Sequence, residues 1–184
     1  MRTQVAFFRN MNLGQARSRS PRSAELVGAF ERAGATRVVN FQTNGTVIFD
    51  GRAPKRIAAD VVELLTGVTG YDDLVVVRPA DWLVELADRL DPDLPAAEVA
   101  LFDARTVPVL RLPHVERARS GALTIVALDA RHAVTSTTGS GISAGPVLPG
   151  LVGVPVTCRG VPTMIRLARR LGSPAKPQGE PRAT

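Results

Sequence analysis

The segment Thr3–Phe49, TQVAFFRNMNLGQARSRSPRSAELVGAFERAGATRVVNFQTNGTVIF, decides how the chain folds. Thr3–Arg9 is a short apolar run of strand length that carries two aromatics, and Asn12-Leu13-Gly14 breaks it. Ser20-Pro21 then signals a helix start, because proline in a first turn lacks only an N–H that no helical carbonyl would accept. Leu26, Val27, Phe30 and Ala33 recur at helical spacing, and Gly34 stops the helix. Arg37–Phe41 and Thr46–Phe49 follow as two strands joined by Thr43-Asn44-Gly45, where Asn-Gly supplies the positive φ of a tight hairpin. Strand, helix and hairpin in this order predict helices layered on an antiparallel sheet.

The pattern extends in the C-terminal direction. Ile57, Val61, Leu64 and Leu65 predict a second helix that ends by Gly67–Gly70. Leu74–Arg78, LVVVR, is a strand ending in arginine, as the first strand does at Arg9, and it reads as the opening of a second half. Pro79 opens a helix with Trp82, Leu83, Leu86 and Leu90 on one face. Val99–Phe102, Val107–Leu110, Ala122–Leu128, Ala133–Thr137 and Val154–Cys158 read as strands, Gly139–Pro149 as a glycine- and proline-rich loop, and Thr163–Leu171 as a short basic helix. Ser173–Thr184, with three prolines, reads as a disordered tail. The expected fold is α+β: two ferredoxin-like (βαββα) halves, duplicated and intertwined, with antiparallel sheets, residues 1–70 forming one lobe and 71–172 the other.

Composition bounds the function. With 184 residues, 45% hydrophobic and 22% charged, the chain is an ordinary globular one. It has no apolar run of the ~18–20 residues that a membrane helix needs. The first apolar run meets Arg9 and Asn10 too soon for a signal peptide, so the expected location is the cytoplasm. A single cysteine, Cys158, excludes an internal disulfide and a multi-thiolate metal site, and the two histidines have no ligand spacing. Neither metal nor cofactor is expected. Residues 1–60 hold ten basic side chains against four acidic, residues 61–103 two against ten, and residues 104–184 eleven against three. If the first and last segments meet in space, one side of the molecule is strongly positive.

Three motifs carry a family resemblance: VAFFRNMNLG at Val5–Gly14, QTNGTVIF at Gln42–Phe49 and TCRGVPT at Thr157–Thr163. In this order and spacing they resemble the family known as domain of unknown function 1697, over about residues 3–172. That family's motifs run Arg-Gly-Ile-Asn-Val-Gly, Gln-Ser-Gly-Asn-Val-Val-Phe and Thr-Thr-Arg-Asn-Trp-Asn-Thr. The resemblance implies a duplicated, intertwined α+β fold and brings no established activity. Arg9, Asn12 and Gly14 match the first motif, while Asn10 replaces a glycine. In the second, an ungapped alignment sets Asn44, Gly45 and Thr46 against Ser-Gly-Asn, whereas a one-residue gap keeps Gln42 in place; both remain open. In the third, Thr157, Arg159 and Thr163 match, but Gly160, Val161 and Pro162 replace Asn-Trp-Asn. The loss of two amides and a large aromatic predicts a roomier, less polar site than the family pattern would give.

The candidate ligand-binding residues are Arg9, Asn12, Gln42, Asn44, Thr46, Arg159 and Thr163. Arginine's planar fork suits a carboxylate or phosphate, and amides, hydroxyls and turn N–H groups add neutral donors. The competing reading is that these groups tie loops together. Candidate catalytic residues are Cys158, which a neighbouring Arg159 would activate toward thiolate, and His132, beside Asp129 in a hairpin turn. Gly139-Ser140-Gly141 is neither a nucleophile elbow nor a phosphate loop, and reads either as a flap over the site or as an ordinary long connection. The expected function is binding of a small anionic or polar metabolite in a metal-free pocket, with catalysis left open. The alternative is a non-catalytic nucleic-acid binder with an arginine-rich face, although aromatics at 4% leave few stacking platforms.

Overall fold

The Thr43–Gly45 turn forms as its sequence demands. Gly45 takes φ +68°, and a Cβ there would come within 2.8 Å of Met11 and 2.9 Å of Phe8, so only glycine fits. In the computed structural model, which describes residues 2–15, 18–118, 121–139 and 142–172, this turn joins β2 (Thr36–Gln42) to β3 (Thr46–Gly51). With β1 (Arg2–Phe8) and β4 (Val75–Pro79) they form a sheet in the order β2-β3-β1-β4, every neighbouring pair antiparallel.

Alternation along β1 sets two faces. Ala6 and Phe8 join Val47, Phe49 and Val77 against α1 (Ser23–Arg32) and α2 (Pro54–Thr69). Phe30 of α1 sits edge-on to Phe8 at 6.0 Å and tilted to Phe49 at 4.9 Å. All three rings are fully buried, each contributing on the order of 2–3 kcal/mol through burial. Val5, Phe7 and Val76, on the opposite face, join a second core with residues of α3 (Ala80–Ala87) and of the second sheet.

That second sheet comprises β5 (Ala97–Leu101), β6 (His114–Ala118), β7 (Gly121–Leu128), β8 (His132–Gly139) and β9 (Thr157–Gly160), in the order β6-β7-β8-β5-β9, again antiparallel. Val99, Leu101 and Val134 face the shared core, together with Met164 and Leu167 of α5 (Val161–Gly172). Ala100, Phe102 and Ala133 face the other way, against α4 (Ala144–Val152). The α+β reading holds, with two antiparallel sheets and five helices among the described residues.

Three local expectations are corrected. The LVVVR strand, read as opening a second half, pairs with β1 in the first sheet. The crossover through α2 returns the chain parallel to β3, so β4 takes the position beyond β1. Val107–Leu110 is not a strand; residues 102–113 run as an irregular connection to β6, which had been missed. Most of the expected Gly139–Pro149 loop is α4. Its Ala144, Leu148 and Val152 repeat every four residues and are all buried, Pro146 falls in the first turn where its missing N–H costs nothing, and Gly153 ends the helix at φ +71°. Ser140 and Gly141 of the expected flap, and the tail 173–184, lie outside the described residues.

Candidate functional site

β1 ends at Phe8, and the chain turns through Arg9 and Asn10, the latter at φ +52°, a conformation asparagine tolerates better than most residues. Asp73, just before β4, holds both side chains. Its Oδ1 accepts from Arg9 Nε at 2.6 Å and its Oδ2 from Asn10 Nδ2 at 2.8 Å. The Tyr71 hydroxyl donates to the Arg9 carbonyl at 2.6 Å, and burial raises its pKa. The two terminal nitrogens of Arg9 have no acceptor among the described residues. A guanidinium held by its Nε in this way presents its end-on pair of donors.

Arg9 lines an open cleft of about 430 Å³. It runs from Arg9 and Asn10 to Val156–Arg159 and to Glu98, Ser143, Gly145 and Pro146 at the start of α4. Glu98 Oε2 accepts the Ala144 N–H at 3.2 Å, capping the helix. The next orphan donor, Gly145 N–H, has no acceptor among the described residues, and Pro146 has no N–H. The cleft is therefore polar, mixed in charge, and built from both sheets.

Arg159 lines the cleft but is already engaged. Nε donates to Thr46 Oγ1 (2.9 Å), Nη1 to Thr157 Oγ1 (3.0 Å) and the Cys158 carbonyl (2.8 Å), and Nη2 to the carbonyls of Phe8 (3.0 Å), Asn44 (2.7 Å) and Gly45 (3.3 Å). All three nitrogens serve protein acceptors, and the guanidinium lies 5.6 Å from the Phe7 ring centre. Burial pulls its pKa down to about 10, so it remains a cation at neutral pH. Gln42, Asn44 and Thr46 form a chain that leads to it: Asn44 Nδ2 donates to Gln42 Oε1 at 3.3 Å, and Thr46 Oγ1 to Asn44 Oδ1 at 2.8 Å. The structure brings Gln42, Asn44, Thr46 and Arg159 together, and they converge on one another.

The remaining candidates lie elsewhere. Asn12 is exposed and does not line the cleft; Thr163, on α5, accepts a weak bond from Arg166 at 3.4 Å. His132 does not line it either. It opens β8, with Nδ1 2.9 Å from Asp129 and its ring edge-on to Trp82 at 5.4 Å. Cys158 borders the cleft, but the expected activation by Arg159 is reversed. Burial, aided by Glu98, pushes the thiol up to about 12, and the nearby cation does not compensate. Among the described residues no three His, Cys, Asp or Glu side chains are grouped as metal ligands, and no helix is long and apolar enough to cross a membrane.

Asp73, Glu98, Ser143 and Gly145 were missed. Asp73 and Glu98 belong to the acidic segment 61–103, whose charge count was the available signal. Arg78 was also passed over. It is 3% exposed, with Nη1 donating to the Val77 carbonyl and 2.9 Å from Asp103 Oδ1, Nη2 donating to the carbonyls of Phe102 and Arg131, and the Trp82 ring centre 5.5 Å away.

The family model described as protein of unknown function (DUF1697) matches residues 1–109, from β1 through β5. The chain belongs to this family. The DUF1697 match covers Arg9, the hairpin, Asp73 and Glu98, whereas the closing Thr157–Thr163 element and α4 lie beyond it. A solved structure, that of the conserved bacterial protein SP0830 from Streptococcus pneumoniae, resembles the chain with a TM-score of 0.56 at 15% identity, covering 94% of this chain and 99% of that one. At this identity the likeness speaks for the fold. A search of curated proteins found no match.

Proposed function

We propose that this DUF1697 protein binds a small anionic or polar metabolite in the cytoplasm, without a metal, in the cleft between Arg9 and the start of α4. The observation that carries this reading is Arg9: it lines the cleft, Asp73 fixes its Nε, and its two terminal nitrogens have no acceptor among the described residues. Gly145 N–H and the Ser143 hydroxyl add neutral contacts. Arg159 supports the wall. The deciding experiment is isothermal titration with acetate, succinate and inorganic phosphate on the wild type and on Arg9→Gln. Binding that the variant loses supports the reading; binding that survives unchanged refutes it.

A second reading, a non-catalytic nucleic-acid binder, draws on Arg166, Arg169 and Arg170, exposed together on α5. It requires micromolar binding to DNA or RNA that weakens steeply with salt as counterions are released. Filter binding across a salt series separates the two readings.

We propose as well that the fold is a ferredoxin-like duplication. The first sheet has the element order β-α-β-β-α-β and the strand order β4-β1-β3-β2. The run β9-β5-β8-β7 repeats that arrangement, with α4 as the second helix and residues 102–113 with β6 standing where the first would be.

A further inference from the structure

We infer that the ligand is a zwitterion, a small amino acid that offers its carboxylate to Arg9 and its ammonium to Glu98; this rests on the small-molecule reading of the cleft. Glu98 stands on β5, opposite Gly160 of β9 and Thr135 of β8, and lines the same cleft as Arg9 and Arg159. One of its carboxylate oxygens accepts the Ala144 N–H at 3.2 Å. The carboxylate nevertheless forms no ion pair within 4.0 Å among the described residues, although two arginines share its cleft. Arg159 cannot supply one, since its nitrogens already serve six acceptors in the protein. Arg9 is turned toward Asp73.

The cleft therefore holds one cation with open donors and one anion with an open acceptor. A dianion would gain at Arg9 and be repelled at Glu98. A simple amine would gain at Glu98 and be repelled at Arg9. A neutral ligand would displace water from both charges and compensate neither, which is costly. A molecule with opposite charges at its two ends complements both, with Ser143 and Gly145 left for its neutral middle. The volume of about 430 Å³ lies toward the lower end of small-molecule sites and suits a ligand of this size.

The test uses pairs that differ only in the ammonium group: L-alanine and propionate, 4-aminobutyrate and butyrate, L-aspartate and succinate, L-glutamate and glutarate. Each is titrated calorimetrically into the full chain. The expected result is that in at least one pair the amino acid binds about tenfold or more tightly than its partner. Glu98→Gln, which keeps an acceptor for the Ala144 N–H, should abolish that preference, with folding checked by circular dichroism. If the deaminated member binds as tightly in every pair, or if folded Glu98→Gln retains the preference, the zwitterion inference is overturned while the anion-binding reading stands. If no member of any pair binds, both fall. The wild-type comparison is decisive by itself should the variant fail to fold.

Discussion

Arg78 and Arg159 cross the boundary between the two sheets in opposite directions. Arg78 leaves β4 of the first sheet and donates to the carbonyls of Phe102 and Arg131, at the ends of β5 and β8 in the second. Arg159 leaves β9 of the second sheet and donates to the carbonyls of Phe8, Asn44 and Gly45 in the first. Each is almost fully buried, and each lies against an aromatic ring. Arg78 also has a carboxylate partner, Asp103, whereas Arg159 has only carbonyls and hydroxyls. Burial lowers both pKa values, yet guanidinium basicity leaves a wide margin, so the two staples remain charged at neutral pH.

Arg159 should therefore behave as a structural residue. Arg159→Met leaves carbonyls at the hairpin and in β1 without donors, and should cost on the order of 3–5 kcal/mol in urea denaturation. Arg159→Lys keeps the charge but not the fork, and should recover only part of the loss. Equal stability of wild type and Arg159→Met would show that the contacts to Phe8, Asn44 and Gly45 contribute nothing.

Asp73 should act through Arg9 more than on the fold. The Arg9–Asp73 pair is partly exposed, so Asp73→Asn should change stability by no more than about 1 kcal/mol. The same change removes the negative charge and one of the two acceptors that hold Arg9 and Asn10, and should weaken succinate or amino-acid binding about tenfold or more. Unaltered affinity in Asp73→Asn would separate Asp73 from the site.

The Cys158 thiol, held near 12 by burial and Glu98, should resist alkylation. At pH 8 a shift from 9.0 to about 12 cuts the thiolate fraction roughly a thousandfold. Iodoacetamide should label the chain readily in urea and very slowly in buffer, as followed by mass spectrometry. Rapid native labelling would restore Cys158 as a candidate nucleophile.

His132 makes stability depend on pH. Burial holds its imidazole below the ordinary 6.5, against the pull of Asp129, so the folded protein favours the neutral ring. Between the folded value and 6.5 the unfolded chain binds more protons, so this contribution is present above that window and lost as pH falls through it. The urea midpoint of the wild type should drop from pH 7.5 to pH 5.5, and that of His132→Gln should drop less. The carboxyls of Asp103 and Asp129 act lower on the scale. Burial pushes both up, but Arg78 and Lys55 at the first, and the N–H groups of Arg131 and His132 at the second, bring them below their usual value.

The sequence by itself determined the elements whose signals are local. Asn44-Gly45 specified a hairpin because the left-handed backbone at Gly45 has no room for a Cβ. Leu26 and Phe30 specified the buried face of α1, and Ile57, Val61 and Leu65 that of α2, through helical spacing. Together with DUF1697 motifs in order, these were enough for an α+β chain with antiparallel sheets. Only the tertiary structure decided what the charged residues do. Val75–Pro79 reads the same whether it opens a second sheet or completes the first, since pairing depends on where α2 returns the chain. Arg9 and Arg159 read alike as anion-binding arginines. They part because a guanidinium's role depends on which acceptors surround it, and the Phe8 carbonyl that Arg159 binds lies 151 positions away along the chain. Asp73 leaves two Arg9 nitrogens open, the hairpin and β9 together leave none of Arg159's, and no spacing along the chain distinguishes the two.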